Sequence, residues 1–529
     1  MYRSFFPINR DIMSPINRTA ETSKYRPALV FALLLLALLI RIPYIVHHPS
    51  GFHKGRQYYD RLISRGLYYQ YFAGKVKPAD RWNQEVAIEQ GQKQERLEPP
   101  VFQMAVALGY AVAGGEREWV PRVLAVGIWF WAALALYQLA KKWFGSEIAC
   151  FSAFLFLFFP YGIIISTSFQ PDILMLVMLL FSIQRIIDYF QGDADSSFLS
   201  TALVSILAVW IKPLCLFPIL GAFCMGIWQR DGLKKALLNF QLWIFFLGLV
   251  LPVAGHYVYR IVTGDFLQWQ FQVSILPYLI LTPHFWLGWK GLLGIVIGFV
   301  PLLFAVTGLF LFRNSKARAI MIGYGIGYFI FGLVFTYQIH THEYYQLMLM
   351  PWICLGVAAL AERAKPYSGY FKKSPWVFLM LILAAGIFGK IWGKTKYIER
   401  SYQFSSQEQT IANAKKIGEA TLHSTRMIYL PGSWGAGKML QYYGWVSGLE
   451  WPSQEQMNFE IIRRISRLSA EERFRNYQKY GSWDYFVVAD LEQLALQGDL
   501  KMFLNRSFPV VFHDPNFLIY DLKKPLKSL

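Results

Sequence analysis

ALVFALLLLALLI, residues 28–40, runs for thirteen positions without a charged or hydrogen-bonding side chain, and a second such run, FLMLILAAGIF, occupies 378–388. Apolar stretches of this kind, extended to about 20 residues by their flanks, have the length that a helix needs to cross a bilayer. The whole chain follows suit: 55% of its 529 residues are hydrophobic, 17% aromatic and only 16% charged. A soluble protein carries about a quarter charged residues. The four cysteines, Cys150, Cys215, Cys224 and Cys354, fall in or beside apolar segments, so packing rather than a disulfide framework or a metal site is expected of them. The polar stretch ahead of residue 28 and the lack of a small-residue cleavage site make the first run an anchor rather than a removable signal.

The net charge of +19 does not imply nucleic acid, because the basic residues lie in short tracts between apolar runs, where they set orientation. Arg3, Arg10, Arg18, Lys24 and Arg26 precede the first helix, about 28–46, and put the N-terminal tail, 1–27, in the cytoplasm. A long external loop, 47–120, follows. Within it PPVFQMAVALGYAVAGG (99–115) is at the lower limit for a span, and counting it as a crossing would send Lys141 and Lys142 outside. An interfacial helix keeps the signs right. Further helices are expected at about 121–143, 147–166, 171–189, 196–211, 213–228, 237–259, 287–311, 319–338, 346–363 and 375–393, which makes about 11 spans in a transmembrane domain of 28–393. The cytoplasmic turns then hold Lys141 and Lys142; Arg230, Lys234 and Lys235; Arg313, Lys316 and Arg318; and Arg363, Lys365, Lys372 and Lys373. Only GDADSS, 192–197, lacks that support.

Residues 394–529 change character. RMIYL, DYFVVAD, PVVFH and FLIYDL read as short strands separated by helical stretches such as QEQMNFEIIRRISRL, giving a small α/β domain on the outer side.

Ionisable residues collect on that outer face: GFHKGRQYYDRLISRGLYYQYF (51–72), RLEPPVFQ (96–103), Asp172 in SFQPD, Lys212 in IKP and HTHEYYQ (340–346). Ionisable groups at membrane depth are costly, so several converging from distant parts of the chain indicate a site. Acids beside cations suit a reaction in which a carboxylate takes a hydroxyl proton while Arg, Lys or His holds the oxygens of a departing phosphate. Each residue also has an ordinary reading. Asp60 and Arg56 have the spacing of an exposed helix pair, Glu98 and Asp172 of helix caps, and His340, His342, Tyr344 and Tyr345 of an interfacial belt. The conjunction carries the signal. GSWGAGKM (432–439) fits a phosphate-loop pattern, but Met439 stands where a Ser or Thr would meet magnesium, and the segment is on the wrong side for cytosolic nucleotide.

In their order, Gly51-Phe52-His53 with Arg56-Gln57, Glu98-Pro99-Pro100, Gln170-Pro171-Asp172, Lys212-Pro213 and His342-Glu343-Tyr344-Tyr345-Gln346 make the chain resemble glycosyltransferase family 39. That group holds the protein O-mannosyltransferases and aminoarabinose transferases of the C-type fold. The resemblance runs through most of 28–365. It implies a polytopic α-helical membrane protein in the bacterial inner membrane, whose donor is a sugar on a polyprenyl phosphate. The implied acceptor is a glycolipid, glycan or protein on the non-cytoplasmic face. Asp60 is the implied general base, with Glu98 and Asp172 lining the same cavity. Arg56, Gln57, Lys212, His340, His342, Glu343, Tyr344 and Tyr345 are the implied carrier-phosphate and substrate contacts. No nucleotide cofactor is implied, and the acids are compatible with a divalent cation. Here Gly55 stands where relatives have tryptophan, and Pro99 where aminoarabinose transferases have lysine. A lipid or polysaccharide transporter is the rival, although no half-repeat is visible and the ionisable residues gather at one face. A sensor with a working external domain is a second.

Overall fold

The computed structural model describes residues 26–46, 48–49, 53–74, 81–192, 197–232, 234–235, 238–263, 274–364, 404–432, 435–462 and 468–526. The first apolar run forms α1 (Arg26–Val46). The stretch expected as external loop 47–120 carries three helices of its own: α2 (Lys54–Tyr71), α3 (Arg81–Lys93) and α4 (Val101–Val112). At 12 residues α4 is about 18 Å long, too short to cross the ~30 Å of a bilayer core.

The bundle continues with α5 (Val120–Phe144), α6 (Ser146–Phe158), α7 (Pro160–Ile165), α8 (Pro171–Gln191) and α9 (Phe198–Ile211). After a 3-10 turn at Pro213–Cys215 come α10 (Leu216–Asp231), α11 (Phe240–Thr263), α12 (Pro283–Val296), α13 (Phe299–Phe310), α14 (Ser315–Val334) and α15 (Thr336–Thr341). A second 3-10 turn, Glu343–Met348, leads into α16 (Leu349–Ala364). Among the described residues six helices are long and apolar enough to cross a membrane, and seven when α12 and α13 count as one bent span. The helix expected at 375–393 lies outside the described residues.

Two expected helices are broken, each for a local reason. The 147–166 segment divides at Phe159–Pro160, where proline has no N–H to continue the ladder. The carbonyl freed at Leu157 accepts from the buried Arg41 guanidinium at 2.8 Å, so the break in α6 accommodates a charge from α1. The 287–311 segment bends by 88° between α12 and α13. Gly298 stands at the corner with φ 81°, a conformation that a residue with a Cβ avoids. Elsewhere α10 and α14 touch backbone to backbone: a Cβ on Gly221 would lie 2.3 Å from the Gly323 carbonyl oxygen. Small residues permit such close approach between membrane helices.

The charges assigned to the cytoplasmic turns do meet at one end of this bundle. Lys142 pairs with Asp188 at 2.8 Å, and Arg230 donates to the Tyr189 hydroxyl. Lys316 donates to the Phe190 carbonyl, and Arg363 to that of Leu311. Asp172 opens α8 at the other end, roughly 24 Å away along the axis.

The C-terminal residues build a five-stranded sheet in the order β2-β1-β3-β5-β4. Its strands are β1 (Met427–Leu430), β2 (Gly448–Glu450), β3 (Tyr485–Val488), β4 (Val510–His513) and β5 (Leu518–Asp521). β2, β1 and β3 run parallel, while β3, β5 and β4 alternate. Ile428, Leu430, Phe486 and Val488 feed one apolar core, and Met427, Tyr429, Val487 and Ile519 another, as the period of two requires. Around the sheet lie α17 (Phe404–Ala420), α18 (Ala436–Gly444), α19 (Gln454–Ile462), α20 (Ala470–Gln478), α21 (Leu491–Leu496) and α22 (Gly498–Ser507). Each expected strand stretch contains a strand. Three-residue β2 was not foreseen.

Candidate active site

One helical turn brings Arg56 and Asp60 to the same face of α2. Their pairing is not the exposed one that the spacing alone allowed. Asp60 is fully buried, with Arg56 Nε 3.2 Å from its Oδ2 and Gln103 of α4 donating to its Oδ1 at 2.7 Å. Arg56 Nη2 reaches on to Glu98 Oε2 at 2.8 Å. Glu98 precedes two prolines that lead into α4, and it spends its carboxylate on Arg56 rather than on capping that helix. On its other side Lys212 Nζ lies 3.9 Å from Glu98 Oε1 and 2.7 Å from Asp172 Oδ1. Lys212 sits where α9 ends in extended backbone, as the following Pro213 dictates.

The result is a chain of alternating charge, Asp60–Arg56–Glu98–Lys212–Asp172, drawn from four parts of the sequence. It holds three acids and two bases, hence one surplus negative charge when all are ionised. Burial pushes the Asp60 carboxyl up to about 7, with the Arg56 charge and the Gln103 hydrogen bond opposing. Burial works the same way on Glu98, but Arg56 and then Lys212 outweigh it and hold that carboxyl below its ordinary range. Two neighbouring acids are thus pushed apart, the pattern that separates a proton acceptor from a fixed charge. Asp60 Oδ2, Asp172 Oδ2 and both amide atoms of Gln170 are buried without a hydrogen bond. Asp60 Oδ2 still faces Arg56 as an ion pair, whereas a buried polar atom left wholly unpaired costs about 1–3 kcal/mol, so Asp172 Oδ2 and the neighbouring Gln170 amide mark a place adapted to a polar ligand.

The remaining expected residues separate into two groups. Lys212 Nζ lies 5.2 and 5.5 Å from the ring centres of Tyr344 and Tyr345. Glu343 Oε1 meets His53 Nε2 at 2.8 Å, which ties the start of α2 to the 3-10 turn. His342 stacks edge-on against both tyrosines. Gln57 accepts from the Phe169 backbone N–H at 3.2 Å, a link between α2 and the turn before α8. His340 is turned the other way: its Nδ1 donates to the Thr336 carbonyl one turn back, and its ring packs on α12 against His284 and Phe285. Among the described residues no group of three or more His, Cys, Asp or Glu side chains is arranged to hold a metal ion.

Three residues escaped the motif reading. Gln103 closes the RLEPPVFQ stretch, but as a lone amide in the apolar helix α4 it was not singled out. His256 and Arg260 occur one turn apart in α11, which read as a plain span. His256 lies near Glu98 and Arg260 near Glu95. His256 Nε2 and Arg260 Nε are buried and make no hydrogen bond. Ionisable side chains in a spanning helix were the available sign. Lys438, the lysine of the phosphate-loop-like stretch, donates to Gln94 Oε1 at 2.8 Å.

Residues 97–256, which contain Glu98, Asp172 and Lys212, match the family model described as dolichyl-phosphate-mannose-protein mannosyltransferase. No curated protein matches the chain. Among solved structures the chain is similar to ArnT from Cupriavidus metallidurans in the apo state, at 15% identity and a TM-score of 0.57, over 94% of this chain and 98% of that one. The same protein bound to undecaprenyl phosphate matches at 15% identity and a TM-score of 0.54, over 94% and 97%. The Archaeoglobus fulgidus oligosaccharyltransferase in its apo form matches at 13% identity and a TM-score of 0.54, over 94% of this chain and 74% of that one. The resemblance read from the sequence is borne out over 97–256, and the helical membrane fold that it implied is borne out in outline.

Proposed function

We propose, from that family and that fold, that the chain is a membrane glycosyltransferase that moves a sugar from a polyprenyl-phosphate carrier to an acceptor on the non-cytoplasmic face. The observation that carries the reading is the buried charge chain from Asp60 to Asp172 inside a bundle of apolar helices. Asp60 takes the proton of the acceptor nucleophile. The bond from the anomeric carbon to the carrier-phosphate oxygen breaks as the new bond to the acceptor forms, and the phosphate keeps the electron pair. A base poised near neutral pH suits that transfer. Glu98 and Asp172 hold Arg56 and Lys212 in place at the same cavity. The phosphate falls to Lys212 with His256 and Arg260, because the last two carry donors not spent on carboxylates. His342 and Tyr344–Tyr345 flank it, Glu343 fixes His53, and a glycolipid, glycan or protein supplies the acceptor.

In the same reading 1–27 is a cytoplasmic tail, 28–393 is the transmembrane domain with about 11 spans, and 394–529 is an extracytoplasmic α/β domain. A bacterial inner membrane with the N-terminus inside accords with the basic turns gathered at one end of the bundle. The decisive experiment incubates purified protein with polyprenyl-phosphate-linked sugars and candidate acceptors, and follows glycosylated product by mass spectrometry. Product formation that depends on Asp60 supports the reading. Translocation of the lipid-linked sugar across vesicles without any product would replace it with the transporter.

A further inference from the structure

Helix α2 has two working faces. Arg56 and Asp60 look toward the charge chain, whereas Tyr58, Arg61 and Arg65 lie roughly 140–200° round the helix at about 100° per residue. That second face is covered by α18 of the C-terminal segment. The Tyr58 hydroxyl donates to that of Tyr443 at 3.2 Å. The Arg65 guanidinium lies 3.8 Å from the ring centre of Tyr442 and 4.0 Å from that of Trp445, and donates to the Tyr442 carbonyl at 2.7 Å. From α3, the Gln90 amide donates to the carbonyls of Gln441 and Val446 at 2.7 and 2.8 Å.

The tightest contact comes at the end of α2 nearest the chemistry. Gly435 opens α18 in a left-handed conformation, φ 80°, against Gly55, the residue just before Arg56. A Cβ on Gly435 would stand 2.4 Å from the Gly55 nitrogen and 2.5 Å from its Cα. Ordinary contact begins at 3.4 Å, so the two backbones would have to part by about 1 Å. Backbone cannot swing aside as a flexible side chain does. Misplacing a catalytic group by ~1 Å can cost 10²-fold in rate.

We propose that Gly435 is a positioning residue: its contact with Gly55 sets the first turn of α2 and thereby places Arg56 and Asp60 for proton transfer. The docked C-terminal segment is then part of the catalytic apparatus although it contributes no reacting group. The inference rests on the glycosyltransferase reading for the task of Asp60. Donor binding is spared, because Lys212, His256 and Arg260 belong to other helices.

The test compares full-length Gly435→Ala with Gly481→Ala. Gly481 also has a positive φ, 142°, in the same segment, but nothing lies within 4 Å of its added Cβ. Steady-state transfer should show kcat at least ~10-fold lower for Gly435→Ala, with the KM for the polyprenyl-phosphate sugar within ~3-fold of wild type. Gly481→Ala should keep wild-type kcat, and its melting temperature reports the strain of a positive φ without the backbone contact. A Gly435→Ala protein with kcat within ~3-fold of wild type overturns the proposal. So does a loss of kcat that comes with equal losses in donor KM and melting temperature. Should Gly435→Ala not fold, Tyr58→Phe decides, since it removes only the hydroxyl on Tyr443 and adds no atom. A several-fold lower kcat at constant donor KM supports the proposal, and an unchanged kcat overturns it. If wild type transfers no sugar at all, the glycosyltransferase reading fails separately. Hydrogen exchange still tests the positioning: residues 54–60 should exchange faster in Gly435→Ala while 81–93 stay protected, and equal exchange at 54–60 overturns it.

Discussion

Two groups of paired charges stand at opposite ends of the helical bundle and use the same residue types. At one end Lys212 and Asp172 meet at 2.7 Å with side chains 5% and 2% exposed, and Asp60 is wholly buried beside Arg56. At the other Lys142 and Asp188 meet at 2.8 Å with 39% and 10% exposed, and Arg313 approaches Glu362 with 66% and 22% exposed. The two Lys–Asp distances barely differ; the surroundings do. Exposed pairs are screened by water and contribute about 0–1 kcal/mol. Buried pairs bear a desolvation cost of several kcal/mol per ion, which a fold tolerates where the charges have work to do. Burial, rather than pairing, separates the candidate site from the interfacial charges.

The largest effects should come from the buried end. Asp60→Asn keeps the shape but takes up no proton, so turnover should fall ~100-fold or more, while the wild-type rate climbs as pH rises through about 7. The stability sign runs the other way. A carboxyl raised in the folded state stabilises fully below its unfolded value of 3.8, and that contribution is lost as pH rises through about 7. Asp60→Asn should therefore melt higher than wild type at pH 8 yet be nearly inactive. Adding Arg56→Gln should not restore transfer. Rescue by that double variant would assign Asp60 to structural pairing and move the base to Glu98 or Asp172. Next in size is Lys212→Met, which strands Asp172 and the far side of Glu98. A drop of about 3–5 kcal/mol in stability is expected, with donor binding weakened. Adding Asp172→Asn should recover stability but not transfer, as thermal melts and donor-binding measurements would show.

The fold was legible because bilayer spans need long apolar runs, and 120–144, 171–191 and 240–263 announce themselves. The breaks at Pro160 and Gly298 were not, since hydropathy averages over a corner that a single proline or glycine makes. Asp60, Glu98, Asp172 and Lys212 were found as short motifs in a fixed order, and the structure brings all four into one chain. His340 was included by its neighbourhood in HTHEYYQ, but in a helical turn two residues' separation points side chains to different sides, and it packs on α12. Gln103, His256 and Arg260 were not singled out, since their role depends on tertiary neighbours that only folding supplies.

Gln103 refines the contrast within the buried end. Its amide donates to Asp60 Oδ1 at 2.7 Å, which favours the ionised carboxylate, whereas Glu98, Lys212 and Arg56 act on Asp60 by charge alone. Gln103→Met preserves volume and removes that donor. The apparent pKa on the acidic limb of the pH–rate profile should then rise by about one unit, since one unit corresponds to ~1.4 kcal/mol and a hydrogen bond to a charged group is worth about 1.5–3. Transfer at pH 7 should fall several-fold and recover at pH 9. A uniform loss at every pH would mean that Gln103 contacts the substrate instead.

The smallest effect is expected where the pairing looks just as good on distance. Lys142→Met removes the ammonium from Asp188, but Lys142 is 39% exposed and the Asp188 side chain keeps 10% exposure against 2% for Asp172, so water takes over part of the solvation. Thermal stability should fall by less than it does for Lys212→Met, and the difference should shrink in high salt, because the exposed Lys142 charge is screened over ~8–10 Å. Transfer should be unaltered, as Asp188 lies roughly 24 Å along α8 from Asp172. Accessible cysteines placed at Lys142 and at His342 in intact cells would supply the geometry behind that expectation, with label reaching His342→Cys from outside and Lys142→Cys only after permeabilisation. If Lys142→Met instead cost as much activity as Lys212→Met, burial would have failed as the criterion. The charge chain at the outer end would then be one ion-pair network among equals, and the base would have to be sought by reactivity rather than by desolvation.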